Sequence, residues 1–211
     1  MNDDEQQLHQ LHGDLARLRD ENRVLNEEVT GLRRFIRSLQ NLADASDRRS
    51  LDADVMDILE QILRNALDAI SAEDGSLLVR DEDTGELVFV LAMGDIPQDK
   101  LAGMRLAPGQ GIAGWVAEHR EPTIVEDAHT DKRFYRGVDD TFEFYTRTVL
   151  AAPIVGGGRV LGVIEVLNKQ LGGSFTVDDL SLLMLLCRFA GELLHSLEEQ
   201  VAASARRSAA S

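Results

Sequence analysis

Apolar residues near the start of the chain recur with a strict beat. Leu8, Leu11, Leu15, Leu18, Asn22, Leu25, Val29, Leu32, Ile36 and Leu39 are separated by alternating steps of three and four. That is a heptad repeat, with Leu8, Leu15, Asn22, Val29 and Ile36 at a and Leu11, Leu18, Leu25, Leu32 and Leu39 at d. Leucine at every d and β-branched residues at the later a positions favour two parallel strands. Asn22 is the one polar residue in the seam. Paired Asn side chains bond across a parallel, in-register dimer and are stranded against Leu in most alternatives, so Asn22 trades stability for register and strand number. Asp14 at g faces Arg19 at the following e of the second strand, and Glu28 faces Arg33. Exposed pairs of this kind contribute only about 0.2–1 kcal/mol each and choose orientation rather than drive assembly. The pattern predicts a parallel dimeric coiled coil over residues 1–42. It lapses in ADASDRRSLD, a joint at 43–52.

A second period begins at Val55. Val55, Ile58, Leu59, Ile62, Leu63, Ala66, Leu67 and Ile70 fall on one face of an α-helix. This helix is expected to stop near SAEDG, where Gly75 can supply a left-handed turn. SLLVRDEDTGELVFVLA then reads as two strands around a turn carrying Gly85. PGQGIAGWVAEH is a glycine-rich approach to a short helix, and PTIVEDAHTDKRFY a short strand followed by an irregular segment. TVLAAPIV and LGVIEVLN flank GGGRV as a second hairpin, too apolar to be half exposed. A long helix is predicted from Thr176 to about Val201. Its residues Leu182, Leu186, Phe189, Leu193 and Leu197 form one stripe, which Leu183, Leu185, Ala190 and Leu194 widen. So broad an apolar face predicts two neighbours: the sheet or the first domain helix, and a second subunit. The element order predicts an α+β domain over 53–199, one antiparallel sheet with helices on its faces, and a flexible polar tail over 200–211.

Composition narrows the function classes. With 44% hydrophobic and 28% charged residues, the chain has enough apolar material for a packed core. A net charge of -15 argues against nucleic acid and anionic membrane as partners. Residues 1–50 hold 10 acids and 8 bases, so the acidity belongs to the globular part. Cys187 is the only cysteine, which excludes an internal disulfide framework and a multi-thiolate zinc site. His9 and His12 lie one helical turn apart, but on a wet face and without a third ligand, so no metal site is predicted. No apolar run reaches the roughly 18–20 residues of a membrane span. The opening MNDDEQQLHQ is unlike a secretory signal, and a cytoplasmic location is expected.

Candidate binding groups cluster in the middle of the chain. The amides of Gly111, Ile112 and Ala113 at a helix start suit a phosphate or carboxylate; an ordinary glycine-rich turn is the alternative. Lys132, Arg133 and Arg136 form a cationic island around Phe134 and Tyr135, whose rings suit stacking on a flat base; a solvated loop is the alternative. Phe142, Phe144 and Tyr145 follow in a segment expected to form a lid. Glu165 interrupts an apolar strand, pointing either into a pocket or to water. Thr176 with Asp179 fits a helix-capping box, with Phe175 just ahead of it.

Three stretches, GQGIAGWVAEHREPTIVEDAHTDKRF, TRTVLAAPIVGGGRVLGVIEVLNK and FTVDD, resemble successive landmarks of GAF domains. They are most similar to those of cyclic-nucleotide phosphodiesterases and bacterial adenylyl cyclases. The resemblance spans roughly residues 51–199. It implies a six-stranded antiparallel sheet, with the first and last helices on one face and a ligand pocket on the other. It also implies a homodimeric regulatory sensor. No output domain is expected after the last helix, and the signal is expected to pass to a separate partner. The family's Asn-Lys…Phe-x-x-x-Asp-Glu motif is matched by Asn168, Lys169, Phe175 and Asp179, with Leu180 in place of the final Glu. By the same resemblance, Lys169 and Asp179 brace the pocket from outside and Thr148 supplies a hydroxyl that reads a purine edge.

The expectation is therefore a non-catalytic homodimer with no resident cofactor, binding a small effector such as a cyclic nucleotide or another small anion. A ligand-free dimerisation scaffold is the alternative. A reductase acting on methionine sulfoxide is disfavoured, because that chemistry needs several positioned cysteines. The Asn22→Ile variant is expected to melt at higher temperature and to form trimers or mixed registers. Sedimentation of both proteins checks this, and a monomeric parent at micromolar concentration would refute the zipper.

Overall fold

The computed structural model describes residue 19, residues 53–95 and residues 98–209. The heptad seam, Asn22 included, and the 43–52 joint lie outside the described residues.

Helix α1 (Ala53–Ile70) buries Ile58, Leu59, Ile62, Leu63, Ala66 and Ile70, the face its periodicity predicts. The helix is not ended by Gly75. Ser71 takes the left-handed conformation instead, with φ 57, and the chain enters β1 (Ala72–Arg80) at once. Gly75 lies within β1 for a different reason. A Cβ there would stand 2.9 Å from Leu67 Cδ2 and 3.0 Å from the Glu165 carbonyl oxygen. Its missing side chain lets α1 lie close on the strand.

β2 (Leu87–Met93), β3 (Arg105–Leu106), β4 (Thr123–Val125), β5 (Val149–Gly156) and β6 (Arg159–Lys169) complete a six-stranded sheet in the order β3-β2-β1-β6-β5-β4. Every neighbouring pair is antiparallel. The β1–β2 turn is drawn in by Asp81, whose Oδ1 accepts from the amides of Asp83 and Thr84. Gly85 there has φ 74. Between strands lie α2 (Gln98–Leu101), α3 (Gly111–His119), a 3-10 turn (Ala128–Thr130) and α4 (Gly137–Phe142).

Helices α1 and α5 (Val177–Ala209) cover one face of the sheet. On the other face, Ile112, Ala113 and Val116 of α3 pack with Phe89, Val149, Val163 and Leu167. β5 and β6 sit between two apolar layers, which is why they carry almost no polar residue.

One feature of α5 differs from expectation. The helix continues to Ala209, through residues assigned to a flexible tail. The sequence also left open which side meets the sheet: Leu183, Leu186, Cys187 and Ala190 face it, while Leu185 and Phe189 are exposed. Small residues explain the choice. A Cβ on Gly191 would fall on the Val155 carbonyl, and one on Gly156 would fall on the Gly191 carbonyl. Backbone thus meets backbone at the β5–α5 contact, and the helix presents the side that permits it. Among the described residues no helix is long and apolar enough to cross a membrane.

Gly191→Ala sets two effects against each other. Alanine gains about 1 kcal/mol in helix propensity, but the added methyl overpacks a contact with no free space, a cost of about 1–3 kcal/mol or more. The clash is with backbone, so net destabilisation is expected in chemical denaturation. An unchanged or higher midpoint would show that α5 can lift away from β5.

Candidate ligand-binding site

On the sheet face opposite α1 and α5, the chain forms a partly open cavity of about 60 Å³. Phe89, Val149 and Leu167 supply its floor from the sheet. Leu101, Leu106 and Ile112 supply walls, and Phe134, Tyr135, Val138 and Phe144 close over it. Into this apolar space come a few polar groups: Ser76, Glu165, Asp139, Thr146 and the start of α3 from Gly111 to Ala113.

Glu165, half-buried, is the polar residue that interrupts the apolar run of β6. It faces Ser76 across the β1–β6 ladder, and the Ser76 hydroxyl donates to its Oε2 at 3.4 Å. The Ala113 N–H, one of the donors without an intrahelical partner at the start of α3, is turned toward the same carboxyl. Burial pushes this carboxyl up from 4.5 to about 7; the contacts with Ser76 and Ala113 oppose the rise without cancelling it. Desolvation outweighs these contacts, so the carboxyl is held above its ordinary value.

Asp139 is the second buried acid. Its Oδ2 accepts from the Thr146 amide at 2.9 Å and its Oδ1 from the Thr146 hydroxyl at 2.7 Å. His129 Nε2 stands 3.5 Å from Asp139 Oδ2. The His129 ring stacks on Tyr145 at 4.6 Å and meets the edge of Phe134 at 5.2 Å. The segment that roofs the cavity is therefore tied to the residues just before β5.

Comparison with known proteins decides the family. A GAF domain model matches residues 52–195. This chain belongs to the GAF domain family. It is 27% identical over 181 residues to a probable 3',5'-cyclic phosphodiesterase, pde-5, of Caenorhabditis elegans, covering 81% of this chain and 24% of that protein. It is 32% identical over 153 residues to the dual 3',5'-cyclic-AMP and -GMP phosphodiesterase 11 of Drosophila melanogaster, covering 66% of this chain and 10% of that protein. The chain thus spans only a minor part of these relatives. Among solved structures, the GAF domain of a phosphoenolpyruvate-protein phosphotransferase from Coxiella burnetii superposes with a TM-score of 0.66 at 20% identity, covering 79% of this chain and 96% of that one. At that identity the likeness concerns the fold.

In this GAF domain, Gly111, Ile112, Ala113, Phe134, Phe144 and Glu165 come together at the cavity. Lys132, Arg133, Phe142 and Thr148 do not line it. Lys132 is exposed. Arg133 turns to its own loop: its Nη2 bonds Asp131 at 2.7 Å and the guanidinium lies 4.6 Å over the Trp115 ring. Arg136 donates to the His129 carbonyl at 2.9 Å. Arg133 and Arg136 of the cationic island are loop ties, and among the described lining residues none is Lys or Arg. Phe142 packs in the cavity-side core without reaching the cavity.

Thr148 misses the cavity because of strand alternation. Val149 and Ala151 face the cavity layer while Leu150 and Ala152 face the helices, so residue 148 falls on the helix side. Its hydroxyl accepts from the Lys169 amide at 3.2 Å. The hydroxyl that lines the cavity is that of Thr146, in the irregular segment before β5.

The Asn168–Lys169–Phe175–Asp179 set lies apart from the cavity lining. Asn168 adopts φ 55, accepts from the Arg147 amide at 2.8 Å through Oδ1, and donates to Asp74 Oδ2 at 3.0 Å. Lys169 Nζ donates to both Asp179 oxygens at 2.8 Å and to the Ile70 carbonyl at 2.5 Å, and lies 5.6 Å over the Phe175 ring. Asp179 accepts from the Thr176 amide while its own amide donates to the Thr176 hydroxyl, a reciprocal cap. One lysine thus joins the end of α1, the end of β6 and the start of α5. Leu180, where the motif has Glu, packs against the helix-side core. Lys169 loses no partner by that exchange.

Ser76, Asp139 and Thr146 were not foreseen. Ser76 carried a weak signal, a polar residue ahead of the apolar run LLV in a strand. Asp139 and Thr146 lie in irregular chain, where no periodicity points inward.

Glu165 couples stability to pH with a definite sign. Its carboxyl is raised from 4.5 to about 7 in the folded protein. Its contribution is present in full below 4.5 and is lost as the pH rises through about 7. Relative to the parent, Glu165→Gln is expected to gain up to about 3 kcal/mol between acid and alkaline conditions. Denaturant titrations of both proteins across that range check this. A pH-independent difference would mean that Glu165 is not desolvated.

Proposed function

We propose that this GAF domain is a non-catalytic regulatory receptor that takes a small organic molecule into its cavity. The observation that carries the reading is the cavity: a partly open, largely apolar space, rich in aromatic rings, with a few polar groups converging on it. Cyclic nucleotides are the first ligands to try, because the phosphodiesterase relatives are named for them.

The receptor works as a parallel homodimer, held by the residue 8–39 seam and by the outer face of α1 and α5. Exposed Met56 on α1 and Met184, Leu185 and Phe189 on α5 support that face, since apolar residues grouped on helices mark interaction surfaces. A ligand that alters the cavity-side layer shifts the sheet on which both helices rest, and a separate cytoplasmic partner reads the change in the helix pair.

The ligand-free scaffold draws support from one feature: the Glu165 carboxyl stands beside an amide at the start of α3. Thermal denaturation with cyclic AMP, cyclic GMP and a metabolite panel separates the two readings. A receptor shows a saturable upward shift, equivalent to about 2.7 kcal/mol at a hundredfold excess over Kd. No shift with any compound supports the scaffold.

A further inference from the structure

The start of α3 has free amides aimed at a cavity, an arrangement that ordinarily receives an anion from outside. Here the chain supplies its own. The Ala113 N–H is turned toward the Glu165 carboxyl, and the Ser76 hydroxyl donates to the same group at 3.4 Å. A carboxylate has about four acceptor positions, so two donors leave capacity turned toward the cavity that Glu165 lines.

The rest of the lining has the same polarity. Asp139 from α4 is the second acid, with His129 standing behind it outside the cavity. Tyr135 is the remaining titratable group, and β1, β2, α2 and α3 contribute serine, apolar side chains and backbone. No Lys or Arg among the described lining residues offsets the acids. An anion pushed to the α3 end would meet a carboxyl in a poorly solvated space with no counter-charge nearby. A group bearing N–H donors would instead form charge-assisted bonds to Glu165. Phe89, Phe134 and Phe144 suit a planar ring attached to that group.

We propose that the cavity selects a planar molecule whose inner end is a nitrogen base with N–H donors, such as an amidine, an amine or an amino-heterocycle edge, seated on Glu165. Any anionic group of the same ligand is turned toward the mouth. This rests on the receptor reading and names the ligand class of that site.

Three probes of nearly one shape test it: benzamidine, benzamide and benzoate, a cation, a neutral amide and an anion. With the full chain in isothermal titration at about pH 8, benzamidine should bind at least about tenfold tighter than benzoate, the ratio expected from one charge-assisted bond. Glu165→Gln should remove that preference, while Glu121→Gln, an exposed acid, should leave it unchanged. Should Glu165→Gln fail to fold by circular dichroism, the parent alone still decides. Between about pH 6 and about pH 8 both charged probes keep their charge, so benzamidine affinity should rise several-fold and benzoate affinity fall. Equal or tighter benzoate binding, a preference untouched in a folded Glu165→Gln, or a flat pH response overturns the proposal while the receptor reading stands. Failure of all three probes overturns it too. If the nucleotides and metabolites also give no thermal shift, the receptor reading falls with it.

Discussion

The β1–β6 ladder at the centre of the sheet is covered by helices on one side and by α3 and the cavity on the other. A strand enclosed on both faces has no water to satisfy a polar side chain, so each polar group must find its partner within the protein. Glu165, half-buried, takes the hydroxyl of Ser76, its register partner, and faces Ala113 at a helix start. Everything distinctive about the cavity follows from a carboxyl held in the middle of a strand that is otherwise apolar.

The same strand ends in a second polar assembly with a different task. At Asn168 the backbone turns left-handed, with φ 55, and the regular alternation of β6 stops. Lys169 can then reach the last carbonyl of α1 and the capping acid of α5. Three element ends meet on one ammonium group, on the helix-covered side. The cavity and this junction are thus linked by a few residues of one strand, which gives a short physical route between ligand and helices. A change in the charge or position of Glu165 is felt first by β1 and β6, and these are the strands on which α1 rests.

Helix α5 shows how close packing chooses a face. Its apolar residues are spread too widely for periodicity alone to say which side is buried. Gly191 and Ala190 decide, because only the side with small residues can lie against the backbone of β5. Phe189 and Leu185 are left outside by that geometry, together with Met184. Cys187, brought inward by the same choice of face, is buried against the Ala152 carbonyl, with its thiol pushed far up by desolvation. It has the character of a packing residue rather than a nucleophile.

Periodic features were legible from the order of residues. The helical face from Ile58 to Ile70, the two hairpins, the doubly buried β5 and β6 and the Thr176–Asp179 cap each rest on contacts between residues near in the chain, whose spacing is itself the signal. The cavity was legible only in part. Glu165 stood out because it broke an apolar run, yet whether it faced water or a pocket depended on strand order, which no local pattern encodes. Arg133 looked like a ligand group until Asp131, Thr123 and Trp115 were found around it, and Thr148 until the pleat turned it to the helix side. Asp139 and Thr146 meet through irregular chain, where neither period applies. Sequence alone determined the periodic elements, because these follow from local spacing; tertiary structure decided which face of α5 is buried and which polar groups share the cavity, because both depend on partners distant in the chain.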